Sequence, residues 1–273
     1  MTESNYPKTS HLRLAEWRTS KFVTDARETF NRSCLARLVL TRTRNESEGG
    51  YRNIGFNNIV DRIWFVDGTF GDTAYGTPSG ADYGSVVAEA ETRHALEKLF
   101  ESVSQNETNL ITETQSDPRE GEVLSLLRKI RENGFAPTAI IASIKQSLRF
   151  WEFRSHFTPS PEVRRGLTSP EGHFQNVPVH HCRLLPDGVI LASDKTALGV
   201  LEVKQDFDIA VTDIPDNDER ERIRREVPSL LDADFDEKVR VKGLEIVKAS
   251  IRQINACALI KTSGTTLELK KYE

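Results

Sequence analysis

With 273 residues, a mass of 30.8 kDa, 37% hydrophobic residues, 16 Gly and 11 Pro, the chain has an ordinary globular composition that fills one large domain or two modest ones. Collagen-like, low-complexity and wholly disordered chains are excluded. No apolar run approaches the roughly 18 to 20 residues of a membrane-spanning helix, and Met1 to Ser10 lacks the layout of a secretory signal, so a soluble chain with no membrane partner is expected.

Cys34, Cys182 and Cys257 stand far apart with no Cys-x-x-Cys pair, which indicates buried thiols rather than a zinc knuckle or a disulfide framework. The formal charge of −4 is mild but uneven: residues 1–44 hold nine Lys or Arg against four Asp or Glu, and the remainder 28 against 37. Two readings fit this asymmetry, a basic arm facing something anionic and a solvated amphipathic helix end.

In chain order, residues 10–34 carry Leu12, Leu14, Trp17, Phe22 and Phe30 at spacings too irregular for one helical face, which predicts an extended arm with a helical turn or two. Leu35 to Arg44 has strand character, the polar tract Asn45 to Gly50 breaks it, and Ile59 to Val66 is a second β-like run ending at Asp67-Gly68. Together they predict a long two-stranded excursion. An isolated ribbon of this kind is marginal in water and wants a partner surface, such as another subunit.

After scattered glycines at 68, 71, 76, 80 and 84, residues 85–104 form the best helical pattern, with Ser85 as cap and Val86, Ala90, Leu96, Leu99, Phe100 and Val103 near helical period. A second helix is predicted from Asp117-Pro118, through Val123, Leu124, Leu127 and Ile130, to Asn133-Gly134. Thr138 to Ala142 reads as a buried strand and Lys145 to Phe153 as a short helix with an aromatic end. From Asn176 onward strands dominate: Val177 to Val179, Val189 to Leu191 after the Pro186-Asp187-Gly188 turn, and a long strand from Leu198 to Thr212 after a turn at Ser193-Asp194. Residues 216–226 are nearly all charged, with only Ile223 apolar, and are expected to bury no face in the chain's own core. Val239 to Val247 and Asn255 to Lys261 are the last strands.

The sharpest enzymatic pattern is Pro186-Asp187 followed by Glu202-Val203-Lys204, which looks like the PD-(D/E)xK nuclease signature, two carboxylates on a divalent metal with a lysine beside the attacking water. Composition alone yields about one Glu-x-Lys by chance, Glu268-Leu269-Lys270 is already a second, and a Pro-Asp-Gly turn joins strands without any metal. In His180-His181-Cys182, strand alternation lets only His180 and Cys182 share a side, and two ligands do not close a zinc site. The glycines at 68–84 fit no phosphate-cradling loop, and the acidic stretch Asp206, Asp208, Asp213, Asp216, Asp218 lacks the central Gly and terminal Glu of a calcium loop. No catalytic residue, metal or cofactor is assigned, and the chain is expected not to be an enzyme.

The order of signals after residue 118 resembles a known family. The helix ending in Asn133-Gly134-Phe135-Ala136-Pro137-Thr138, the strand Ala139-Ile140-Ile141-Ala142-Ser143, the stretch Gln175-Asn176-Val177-Pro178-Val179, the turn Leu185-Pro186-Asp187-Gly188 before Val189-Ile190-Leu191, the opening Leu198-Gly199-Val200-Leu201 and the final Asn255-Ala256-Cys257-Ala258-Leu259-Ile260 resemble tailed-virus major capsid proteins of the Hong Kong 97 phage type. The first half agrees in layout.

That resemblance implies an α+β, Hong Kong 97-like fold with an N-terminal arm (residues 1–34), an extended β-ribbon loop (35–77), a peripheral domain with a long spine helix (78–117), an axial domain (118–197), peripheral-domain strands with a charged loop (198–250) and a C-terminal return to the axial domain (251–273). It implies a subunit that assembles with itself as pentamers and hexamers into an icosahedral virion shell around double-stranded DNA, put together in the host cytoplasm, with portal, scaffold or decoration proteins as further partners. Starting at Met1 with a short arm, the chain carries no long helical scaffolding segment, so the expected scaffold is a separate protein or none.

Within this frame Arg220, Arg222, Arg224 and Arg225, set among acids in 216–226, suit a polar contact between subunits; a solvated loop is the competing reading. Arg13, Arg18, Lys21, Arg27, Arg32 and Arg37 give a basic arm suited to an inner surface that meets phosphate without sequence readout, or to the acidic remainder of a neighbouring subunit. The alternatives are an encapsulin-like nanocompartment enclosing a protein cargo, a viral tail or connector protein, and the metal-dependent nuclease.

Overall fold

The computed structural model describes residues 8–44, 49–61, 79–106, 110–153, 155–160, 169–214, 217–231 and 238–271, without the side chains of 8–20 and 60–61. These residues fall into two compact units, one built from the described residues within 1–30, 53–87 and 205–245 and the other from those within 31–52, 88–204 and 246–273.

The second unit is organised by a seven-stranded mixed sheet. Its strands are β3 (Ile111–Thr114), β4 (Ala139–Ala142), β5 (Phe157–Pro159), β6 (Gly172–Phe174), β7 (Val177–His181), β8 (Val189–Ser193) and β11 (Cys257–Thr262), in spatial order β3-β11-β8-β4-β7-β6-β5. The central strands read as unbroken apolar runs, Ala-Ile-Ile-Ala and Val-Ile-Leu-Ala-Ser, because every residue of β4 and β8 is buried. Register follows from this: β8 lies antiparallel to both neighbours, placing Ala192 opposite Ile140 and Ala258, and Leu191 opposite Ile141 and Leu259.

Over one face packs the helix α4 (Glu120–Glu132), whose Val123, Leu126, Leu127 and Ile130 are buried at helical spacing against Ile140, Ala142, Ile190, Ala192, Ala258 and Ile260. The expected start at Asp117-Pro118 falls two residues early. Glu122 accepts a hydrogen bond from the Arg119 backbone N–H at 2.6 Å, which fixes the first turn there, while Asp117 is engaged by Gln146, Lys145 and Arg149. The end is as expected: Gly134, at φ +86°, turns the chain out of the helix while Phe135 N–H donates back to the Ile130 carbonyl at 3.1 Å.

The predicted helix 145–153 is an α-helix, α5 (Ile144–Arg149), capped by Ser143, that tightens into a 3-10 turn over Phe150–Glu152. Phe150 then enters an aromatic cluster with Phe153, Phe157 and Phe174, at ring separations of 5.3, 5.9 and 5.5 Å. The turn expected at Ser193-Asp194 is a short helix, α6 (Lys195–Leu198), because the Asp194 carboxylate accepts from the Thr196 N–H at 3.0 Å and caps it.

Residues 35–40 depart from the strand expected there. They form the one-turn helix α2 (Ala36–Val39), with Leu35, Ala36, Val39 and Leu40 all buried. The spacing is that of a helical face, and the strand-prone side chains hid it; Leu35 N–H is held by Thr92 Oγ1 at 3.0 Å. β1 (Thr41–Arg44) follows and runs parallel to the start of β9 (Gly199–Asp213), Thr41 opposite Val200 and Arg44 opposite Val203.

In the first unit the expected extended arm is instead helix: α1 runs from Lys8 to Ser33. Phe22, Ala26 and Phe30 recur every fourth residue as one buried stripe, and the small Ala26 in its middle is what made the pattern look irregular. The stripe meets Gly80 and Gly84, at the start of α3 (Gly80–Gln105). A Cβ on Gly80 would stand 2.3 Å from the Phe22 carbonyl oxygen, and one on Gly84 2.1 Å from that of Ala26. Only glycine allows this approach. α3 therefore begins at Gly80 rather than at Ser85: Ser79 Oγ accepts from the Asp82 N–H, and the Asp82 carboxylate accepts from the Ser79 N–H and hydroxyl.

The remaining strands differ from the predicted ribbon as well. β2 (Arg52–Asp61) borders β10 (Lys238–Ile251) in the sheet order β1-β9-β10-β2, so β1 and β2 do not pair with each other. Residues 62–66 of the predicted second run, Asp67-Gly68 and the glycines at 71 and 76 lie outside the described residues.

Candidate assembly surfaces

The charged segment is the helix α7 (Asn217–Glu226), and it does bury a face. Ile223 is 4% exposed and clusters with buried Ile214 and with Ile59 and Leu230, so a single isoleucine anchors the helix in a satellite core. The four predicted arginines all lie on it and all bond within the chain. Arg220 Nε donates to the Ile214 carbonyl at 3.2 Å, Arg222 reaches Glu219 at 3.2 Å and Glu226 at 3.8 Å, Arg224 reaches Glu221 at 2.6 Å, and Arg225 Nε donates to the Glu221 carbonyl at 3.2 Å. Glu219 also takes Arg240. Most of these pairs follow i, i+3 or i, i+4 spacing on an exposed face, where such pairs contribute a few tenths of a kcal/mol each. The charges are ordered but weakly held, which suits exchange with charges on a neighbouring molecule.

The segment expected as an extended basic arm is the helix α1. Lys21, Arg27 and Arg32 lie on it, but Arg27 is exposed and already pairs with Asp208. Arg37 belongs to α2 and donates to Asn31 Oδ1 at 2.9 Å. Arg13 and Arg18 are on the backbone of α1, with side chains outside the description. Of the six basic residues named from the sequence, five therefore lie on the α1 backbone and one on α2.

The two carboxylates of the nuclease-like pattern do not stand on paired strands: Asp187 precedes β8 of the seven-stranded sheet, and Glu202 lies on β9 beside β1 and β10. Asp187, 60% exposed, takes Lys270 Nζ at 2.9 Å, which is the lysine of the second Glu-x-Lys, Glu268-Leu269-Lys270. Glu202 on β9 has other partners: Lys248 Nζ at 3.8 Å and the Tyr51 hydroxyl, which donates at 3.4 Å. Lys204 and Lys248 each stand 5.8 Å from the Tyr51 ring centre. Among the described residues no three His, Cys, Asp or Glu side chains gather closely enough to hold a metal.

His180 is buried, and desolvation first, then the nearby charges of His173 and His181, pushes its pKa down to about 4. His181 bonds Glu171 at 2.7 Å. Burial pushes the Cys182 thiol up to about 11 and that of Cys257 up to about 12, so both are inert, protonated thiols. Cys34 is buried too.

Sequence reasoning missed two features. The first is the Gly80/Gly84 contact, whose signal was the four-residue spacing of the glycines. The second is an exposed apolar row on α5 and the turn after it, Ile144, Leu148 and Trp151, whose signal was i, i+4, i+7 spacing without a polar break.

Comparison with known proteins places the fold. No family model matches the chain, and no curated protein matches it by sequence. Solved structures do. The virus-like particle from Pyrococcus furiosus aligns over 89% of this chain and 98% of its own, with a TM-score of 0.54 and 13% identity. A structure from Microbacterium phage Oxtober96 aligns over 85% and 91%, with a TM-score of 0.51 and 11% identity. At such identities the likeness lies in the fold rather than in any shared motif: the chain has the mixed α+β, Hong Kong 97-like fold.

Proposed function

We propose that the chain is the building block of a closed protein shell, the major capsid protein of a tailed virus, which self-assembles as pentamers and hexamers into an icosahedral particle around a double-stranded DNA genome. The observation that carries this reading is the Hong Kong 97-like fold itself, matched over nearly the whole length of a virus-like-particle subunit. That neighbour is a virus-like particle, and its fold is shared at 13% identity.

The physics of a shell agrees with the surfaces described above. A subunit in a closed lattice contacts several copies through different faces, and the contacts must be weak enough singly to correct errors and strong enough together to hold. The arginines of α7 supply exposed, exchangeable ion pairs of that kind. In this reading the work is mechanical, with no catalytic residue and no cofactor. The shell is put together in the host cytoplasm, with portal, scaffold or decoration proteins as further partners, and ends in the virion.

The same fold fits a second reading, a nanocompartment around a protein cargo. Particles purified after expression of the whole virus gene set separate the two. Nuclease-protected DNA, released in a salt-dependent way by stripping the particles, supports the capsid reading; particles that hold one folded protein and no nucleic acid overturn it in favour of the nanocompartment.

A further inference from the structure

Among the described residues the large apolar side chains that remain exposed are few, and three of them fall on one short stretch: Ile144 (48% exposed), Leu148 (61%) and Trp151 (48%). On α5 and the 3-10 turn that continues it, positions 144, 148 and 151 are one row. From this row we infer a contact between copies of this chain, an inference that rests on the shell reading and names one of the faces the shell uses.

The row is presented rigidly. Phe150, next to Trp151, is fully buried in the aromatic cluster, and the Trp151 ring stands edge-on to Phe157 at 5.7 Å. A ring held in this way loses little rotamer freedom on docking. The row is also framed. Asp117 takes Lys145 at 3.3 Å and Arg149 at 3.2 Å, Gln146 donates to the same carboxylate at 2.9 Å, and Arg149 reaches Glu152 at 3.6 Å. The Gln146 amide, with the two cations behind it, holds the Asp117 carboxyl below the usual carboxylate range, so the frame stays charged at neutral pH. An apolar centre inside a polar, charged border is the anatomy of a protein interface.

The occupant follows from size. At these exposures the three side chains offer roughly 300 Å², against about 800 Å² per partner in a stable pairwise complex. A lone partner would not stay bound to so small a patch. The same patch repeated on every copy of a closed assembly is held by all the others, so it is useful only to a chain that meets itself many times. Because a ring needs two different faces in contact, the row docks on a separate face of the next copy.

The test uses the full chain. Leu148→Asp and Trp151→Glu, made singly, are expected to melt within a few degrees of the parent and to lower the yield of particles tenfold or more by light scattering, while Leu148→Met keeps it. In parent particles Trp151 is expected to be protected from radical oxidation relative to dissociated subunits. Parent shells accompanied by undiminished shells from both charged variants, or a Trp151 oxidised equally in both states, overturn this contact alone. A parent chain that never rises above a dimer overturns the shell reading and this contact with it.

Discussion

The aromatic core beneath α5 and the satellite core beneath α7 show two ways of holding a helix. Under α5, Phe150 touches three other aromatic rings and forms part of a cluster of sixteen buried residues that also includes α4 and the sheet strands. Under α7, one isoleucine meets one other buried residue and two partly buried ones. The first arrangement fixes a surface and the second only tethers one. The proposed function uses both kinds, a rigid face for apolar contacts and a lightly held charged face that can adjust.

Breaking the rigid side costs most. Phe150→Ala is expected to destabilise the chain by about 3–5 kcal/mol, read as a fall in the denaturant midpoint, because it opens a cavity among rings that cannot close over it. A loss below about 1 kcal/mol would mean that the cluster is loosely packed.

Acid probes the same sheet next. His180 is kept neutral, its pKa lowered from 6.5 to about 4, so it favours the folded state fully above pH 6.5. That contribution is lost as pH falls from about 6.5 to about 4, where the unfolded chain takes up a proton that the folded chain refuses, and it totals about 3 kcal/mol. Urea melts across this window should show the decline in the parent, and His180→Asn should make it shallower, with buried His94, whose pKa burial also lowers, contributing the remainder.

On the tethered side, Ile223→Ala is expected to cost about 1–2 kcal/mol, less than a full core truncation, because so small a cluster can collapse around the gap. Faster proteolysis confined to residues 217–231 would read it. The smallest effect on folding comes from Arg224→Glu with Arg225→Glu, about 0.5 kcal/mol or less in stability, since the pairs removed are exposed. The same double variant is expected to impair assembly, and normal particles from it would assign α7 to solvent.

Legibility followed the same division. The central strands could be read because residues buried on both faces leave continuous apolar runs, as in Ala139–Ala142 and Val189–Ser193. β9 falls within one residue of expectation. α1 escaped because its partner is elsewhere: Ala26 matters only opposite Gly84, and Gly84 reads as a loop residue until the helix over it is known. The surfaces were harder still. Phe150 and Trp151 are adjacent aromatics, one fully buried and one half exposed, and nothing local distinguishes them. Arg27 reads as free charge until Asp208, 181 residues away, comes beside it.

The most direct measurement is electron microscopy with light scattering on the chain expressed alone, across a range of salt and protein concentration. Closed shells of uniform size, or pentamers and hexamers on the way to them, are the predicted result. A monomer or dimer under every condition would contradict the account.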